Sequence, residues 1–156
     1  MQKSPFNQRE VDLSIELNKK EGLWKPKSGD WFLDLNSVRV LYNGEYVQSI
    51  SLCLVLDEDG RSFSFLELMI DGEENGNRMK KSLSFEEIGT MSQMSWMPSI
   101  SDCIKIIDEQ GDYKFLSLAK QDLMCKVSAV RVSDKKIFSI TSVTELESFY
   151  SFIIGL

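Results

Sequence analysis

The chain has 156 residues, 42% hydrophobic and 27% charged, with a formal net charge of -6 and an isoelectric point near 4.8. That is enough chain for one domain with a buried core, and its acidic balance argues against non-specific DNA or RNA binding, which needs a basic stripe to displace counterions. It has no histidine, which excludes Ser-His-Asp and Cys-His catalysis, His-ligated zinc and imidazole pH switching.

The first ten residues are polar and lack an apolar signal-peptide core, and no apolar run later in the chain is long enough to span a bilayer. Cytoplasmic residence is therefore expected. The spacing predicts a helix over about residues 8–21. Asn7 with Glu10 reads as an N-cap box, Phe6 with Val11 as a hydrophobic staple, and Gly22 as the residue that stops it. Val11, Leu13, Ile15 and Leu17 alternate, so this helix is apolar on two sides.

The next segment, "GLWKPKSGDWFLDL", holds turn signals at Pro26 and Gly29 and the aromatic bulk of Trp24, Trp31 and Phe32. "VRVLY" and "EYVQSISLCLVL" then flank Asn43-Gly44, a dipeptide suited to a type I′ hairpin. On the second of these strands Tyr46, Gln48, Ile50, Leu52, Leu54 and Leu56 share the more apolar face. They are the expected core side. "DEDG" reads as a turn into the strand "SFSFLELMI".

Residues 71–82, "DGEENGNRMKKS", read as a long polar loop. Asp71, Glu73, Asn75 and Gly76 imitate the start of a calcium loop. Its closing bidentate Glu is replaced by Ser82, and Lys80 and Lys81 adjoin, so no metal is expected there. One helical turn is placed near Phe85 to Ile88. Ser99 with Asp102 caps a helix near 99–110, whose stripe is Ile100, Cys103, Ile104 and Ile107 and whose stop is Gly111. Three antiparallel strands follow in "DYKFLSLAK", "LMCKVSAVRV" and "KIFSI". A last helix starts at Ser142 or Thr144 and carries Leu146, Phe149, Tyr150 and Ile153. No repeat or linker divides the chain. The expectation is a single α+β domain, 1–156, built on an antiparallel sheet with an N-terminal, an internal and a C-terminal helix.

Several residues invite a functional reading. Trp24, Trp31 and Phe32, with Met94, Trp96 and Met97, form a candidate binding set, because exposed aromatic and methionine side chains suit interfaces. Met91 extends the methionine spacing. The competing reading is that these residues simply fill a core and cap its edge. The cysteines Cys53, Cys103 and Cys125 are odd in number and lack C-x-x-C spacing. They read as buried free thiols of a reduced chain. "DYK" sets Asp112 and Lys114 on one side of a strand, as in some metal-dependent nucleases, with Glu67 or Asp34 as the second acid. Neither a P-loop nor a dinucleotide fingerprint occurs, and no cofactor is expected.

The segments "GLWKPKSGDWF", "SWMPSISDCIKIIDEQG" and "SVTELESFYSFIIGL" resemble a group of small uncharacterised proteins of Gram-positive bacteria and their prophages. Trp24, Pro26, Gly29, Asp30 and Trp31 match its Leu-Trp-x-Pro-x-x-Gly-Asp-Trp piece. Trp96 and Pro98 match its Trp-x-Pro wedge, where Met97 replaces the more usual Leu. These pieces cover under a third of the chain. The resemblance implies a phage or mobile-element context and no particular activity. The function expected from the sequence is thus that of a non-enzymatic binding or accessory protein. It would have a protein partner, a second copy included, and no nucleic-acid or membrane partner. The alternatives are a carboxylate-dependent metal enzyme and an acidic immunity-type inhibitor of a basic toxin.

Overall fold

The structure, a computed structural model, describes residues 5–20, 22–40, 43–71, 73–76, 78–90 and 94–156, and the side chains of all of these except 36–40, 46–48 and 88–90. The fold is α+β, with two antiparallel sheets and four helices among the described residues, including the N-terminal, internal and C-terminal helices. In order these are α1 (Gln8–Leu17), β1 (Trp31–Val40), β2 (Tyr46–Glu58), β3 (Ser62–Ile70), β4 (Glu73–Glu74), β5 (Lys80–Ser84), α2 (Phe85–Thr90), β6 (Met94–Met97), α3 (Ile100–Glu109), β7 (Tyr113–Gln121), β8 (Met124–Arg131), β9 (Ile137–Ser142) and α4 (Glu145–Ile154). The chain divides into two compact units, residues 1–7 with 21–97 and residues 8–20 with 98–156.

The first unit carries a six-stranded sheet in the order β4-β3-β2-β1-β6, with β5 also paired to β3. Its aromatic core lies on one face: Phe32 from β1, Cys53 and Val55 from β2, and Phe63 and Phe65 from β3, all buried. This reverses the core face expected for β2. Ser49, Ser51, Cys53 and Val55 are buried, whereas Ile50 is 45% exposed and Leu54 and Leu56 are half-buried. Leu52 is the member of the expected face that is fully buried. Tyr46 and Gln48 lie outside the described side chains. The reason is steric complementarity across the sheet. Phe32 sits directly opposite Cys53, and Phe65 opposite Val55. Bulky rings on neighbouring strands need small partners between them, so side-chain size on one strand alone points to the wrong face.

Three further differences have local causes. The polar run 71–82 is not all loop, since β4 and β5 add to the free edge of β3, with Glu74 opposite Met69 and Lys81 opposite Phe65. Its polar composition is that of edge strands, which carry charge to block further pairing. Trp31 and Phe32 begin β1, and Met94 to Met97 form the edge strand β6 beside it, two segments to which the sequence assigns no strand. Finally, α1 ends at Leu17, four residues early. The Asn18 side-chain amide donates to the Ser14 carbonyl at 2.7 Å, taking up an acceptor at the helix end. Gly22, at φ +69°, lies beyond the turn that follows.

In the second unit, β7, β8 and β9 form a three-stranded antiparallel sheet in that order. The helix α4 covers one face of it. Phe149 meets the Phe115 ring at 5.7 Å and Phe152 meets Tyr113 at 5.8 Å, while the Ser148 hydroxyl donates to the Cys125 carbonyl at 2.8 Å. Both of the last two helices start as the sequence predicts. Ser99 and Asp102 close a capping box on α3, and Thr144 and Glu147 one on α4. Gly111, at φ +83°, follows the C-cap residue Gln110 of α3. The predicted stripe of α3 buries Cys103 and Ile107 fully, with Ile100 and Ile104 partly covered. From α1 come Leu13 and Leu17, both buried, and Glu10, whose carboxylate accepts the Thr144 hydroxyl at 2.9 Å. Tyr150 is fully buried and donates to the Pro98 carbonyl at 2.7 Å.

Candidate functional site

The six candidate binding residues do not form one patch. Strand β1 divides them. Phe32 lies opposite Trp96, and Met94 opposite Asp34, so Phe32, Met94 and Trp96 share the aromatic core face. Trp31 lies opposite Met97, and these two point to the other face. Phe32, Trp96 and Met97 are buried, and Trp24, Trp31 and Met94 are half-buried. Met91 lies outside the described residues.

Trp24 joins the first group from outside the sheet. Its ring stacks nearly parallel to that of Trp96 at 6.3 Å and lies 5.3 Å from the ring of Phe32. What holds it there is Asp30, a residue to which the sequence alone assigns no such part. The Asp30 carboxylate is buried. It accepts the Trp24 indole N–H at 3.0 Å, the Lys27 backbone N–H at 3.0 Å and the Lys27 ammonium at 2.7 Å. Pro26 and Gly29, the latter at φ +91°, bend the chain so that one carboxylate reaches all three donors. Lys27 also lies 5.6 Å from the Trp96 ring centroid, within range of a cation–π attraction. The segment is therefore a latch that closes an aromatic core, with Lys27 at its outer rim. The signal for it is present as "WKPKSGD": an acid six residues after a Trp, with two turn residues between.

A second polar group sits in the same sheet. Glu67 is buried, accepts the Ser51 hydroxyl at 2.9 Å and pairs with the Lys81 ammonium. Cys53 lies opposite Glu67 across the strands. Burial pushes its thiol well above the usual value, and the negative charges of Glu67 and Asp34 add to that. Burial does the same to Cys103, with Asp102 adding. All three cysteines are buried and free, as expected. A thiol held protonated is a poor nucleophile.

The Asp112 and Lys114 pair is exposed. Asp112 lines an open cleft of about 340 Å³ with Tyr113, Arg131 and Ser133, and Lys114 does not line it. Arg131 bonds Asp134, which holds that carboxyl below its ordinary range. Among the described residues, no three Asp, Glu or Cys side chains converge as a metal ion needs. In the polar run that imitates a calcium loop, Asp71 accepts the backbone N–H of Ile50 at 3.0 Å and Glu74 pairs with Arg78.

Large apolar side chains do reach solvent, but elsewhere. Among the described residues, seven of the nine exposed ones fall between residues 116 and 143, including Leu123 at 86%, Val143 at 64% and Ile137 at 62%. Sequence reasoning misses them because Leu116, Met124, Ile137 and Phe138 sit in strands that read as ordinary, and Leu123, Val132 and Val143 lie singly in the connections between elements. No helix among the described residues is long and apolar enough to cross a membrane. No family model, curated protein or solved structure matches the chain.

Proposed function

We propose that the protein works by binding another protein and carries out no chemistry of its own, as a cytoplasmic accessory protein of a phage or other mobile element. The context rests on the resemblance of the Trp24–Trp31 and Trp96–Pro98 segments to small proteins of Gram-positive bacteria and their prophages. The binding reading rests on one observation, the concentration of exposed apolar side chains between residues 116 and 143. Exposed apolar area is costly to leave in water, and its clustering marks surfaces that meet a partner.

The same region is unlike the rest of the chain in charge. Residues 113–142 hold six basic side chains, Lys114, Lys120, Lys126, Arg131, Lys135 and Lys136, against Asp122 and Asp134. The strand Ile137–Ser142 within it carries none of these charges, so contact along that strand needs no acidic partner. The original candidates take a supporting role in this reading. Phe32, Trp96 and Met97 build the scaffold, and the half-buried Trp24, Trp31 and Met94, with Lys27 beside Trp96, offer what contact area remains.

Photo-crosslinking side chains placed at position 123 and, separately, at position 27 test the assignment in the cell of origin. Capture of a discrete protein from position 123, abolished by adding Val132→Asp, is the expected result. Capture from position 27 alone would move the contact surface to the aromatic rim.

A further inference from the structure

The three-stranded sheet has two outer strands, and they are built differently. β7 carries Lys114 and Lys120 and is interrupted by a bulge between Phe115 and Ser117. Charged side chains and bulges are the devices by which natural sheets stop an edge from pairing further. β9 has neither. The run "IFSITSV", residues 137–143, contains no charge, proline or glycine, and its pairing with β8 is unbroken from Ile137 to Ser142. Among the described residues, no strand pairs with its outer edge. Ile137, which begins the strand, and Val143, the residue just after its end, are 62% and 64% exposed. An open, regular, uncharged and apolar edge of this kind templates another strand.

We propose that the occupant is β9 of a second copy, antiparallel about a twofold axis at Ile140, which would join the two three-stranded sheets into one of six strands. This rests on the binding reading above and names one partner for that surface. Two features of the strand favour its own copy over a foreign one. The first is symmetry. Pairing about Ile140 places Ile137 opposite Val143 of the second copy, Ser139 opposite Thr141, and Ile140 opposite itself. Ile137, the most exposed apolar side chain of the strand, and Val143, which extends it by one residue, thereby cover each other twice, and the hydroxyls pair on the same face. A twofold interface needs this self-complementarity. The second is charge. The strand brings none to the shared ladder, so two copies do not repel along it. At each end Lys136 comes level with Thr144 of the other copy, beside Glu145, whose carboxylate is already paired with Lys120 of its own chain. A foreign strand would have to be selected by charges that β9 does not offer.

The experiment is sedimentation equilibrium of the full chain across protein concentration, for the natural sequence, for Ile137→Lys and Val143→Asp singly, and for the double substitution. All three changes fall on exposed positions, and far-ultraviolet circular dichroism checks that each variant folds. A concentration-dependent dimer is expected for the natural chain. Each single change should weaken it by about tenfold or more, because it sets a charge against an apolar side chain twice over. The double change should restore it, because each introduced ammonium then meets an introduced carboxylate of the other copy. A natural chain that stays monomeric overturns the proposal, as does a dimer that none of the changes affects or a double variant no tighter than the singles. A monomer whose position-123 crosslink to another protein persists would end the second-copy proposal and leave the binding reading standing.

Discussion

The two sheets of this protein treat their apolar residues in opposite ways. The six-stranded sheet draws its aromatics inward: Phe32, Phe63 and Phe65 are buried, and Trp24 is tied down over them by Asp30. The three-stranded sheet covers one face with α4 and leaves Leu116 and Ile137, with Leu123 and Val143 in the connections beside them, in solvent. The conspicuous residues of the sequence, its tryptophans and the methionines beside them, thus belong mainly to the scaffold. The inconspicuous strands after residue 113 hold the surface that looks unfinished. Aromatic bulk measures how much burial a residue can contribute. Whether a side chain stays exposed depends on what packs over its strand, which its own sequence does not state.

The comparison is broken most forcefully at the two cores. Phe32→Ala and Phe149→Ala remove the same chemistry from the first and second units, each at a fully buried site. Each should cost about 3–5 kcal/mol. Trp24, Trp31 and Trp96 all lie in the first unit, so intrinsic fluorescence reports on that unit. Chemical denaturation followed by fluorescence should show the full loss for Phe32→Ala. A loss below about 1 kcal/mol there would mean that the aromatic cluster is not a working core.

A smaller effect is expected at the latch. Asp30→Ala removes a buried acceptor from three donors, one of them a charged ammonium, and should cost about 1–3 kcal/mol. Because the Trp24 indole then loses its anchor, tryptophan emission should shift to longer wavelength even in the folded protein. An unchanged spectrum would show that stacking on Trp96 alone holds the ring. Smallest of all, Ile137→Lys should change the stability of the chain at high dilution by less than about 0.5 kcal/mol, as expected of an exposed site. A large loss in thermal unfolding would place Ile137 in a core rather than on an edge.

Much of the architecture is legible in the sequence. The capping boxes at Ser99 and Thr144 are short-range chemistry, satisfied within three residues, and so they can be read from the chain. So is the turn at Asp59, whose carboxylate takes the N–H groups of Arg61 and Ser62, whereas the tight turn expected at Asn43-Gly44 falls partly outside the described residues, between strands that pair up to Val40 and Tyr46. Longer-range choices are not legible. The buried face of β2 is set by Phe32 and Phe65 on its neighbours, and the strands within the polar run 71–82 by the free edge of β3. The candidate site suffers most from this. Trp31 and Phe32 adjoin in sequence, yet a strand sends them to opposite faces. Asp30 passes for a turn residue until its three donors are in place.

The central claim is that the tryptophan set is scaffold and that the β9 edge is where this protein meets its partner. Amide hydrogen exchange at two protein concentrations, one well below and one well above the dimer's dissociation constant, tests it directly. The account predicts that residues 137–143 exchange more slowly in the concentrated sample, while residues 24–32 and 94–97 exchange alike in both. Exchange at 137–143 that ignores concentration, with slowing confined to residues 24–32, would contradict it.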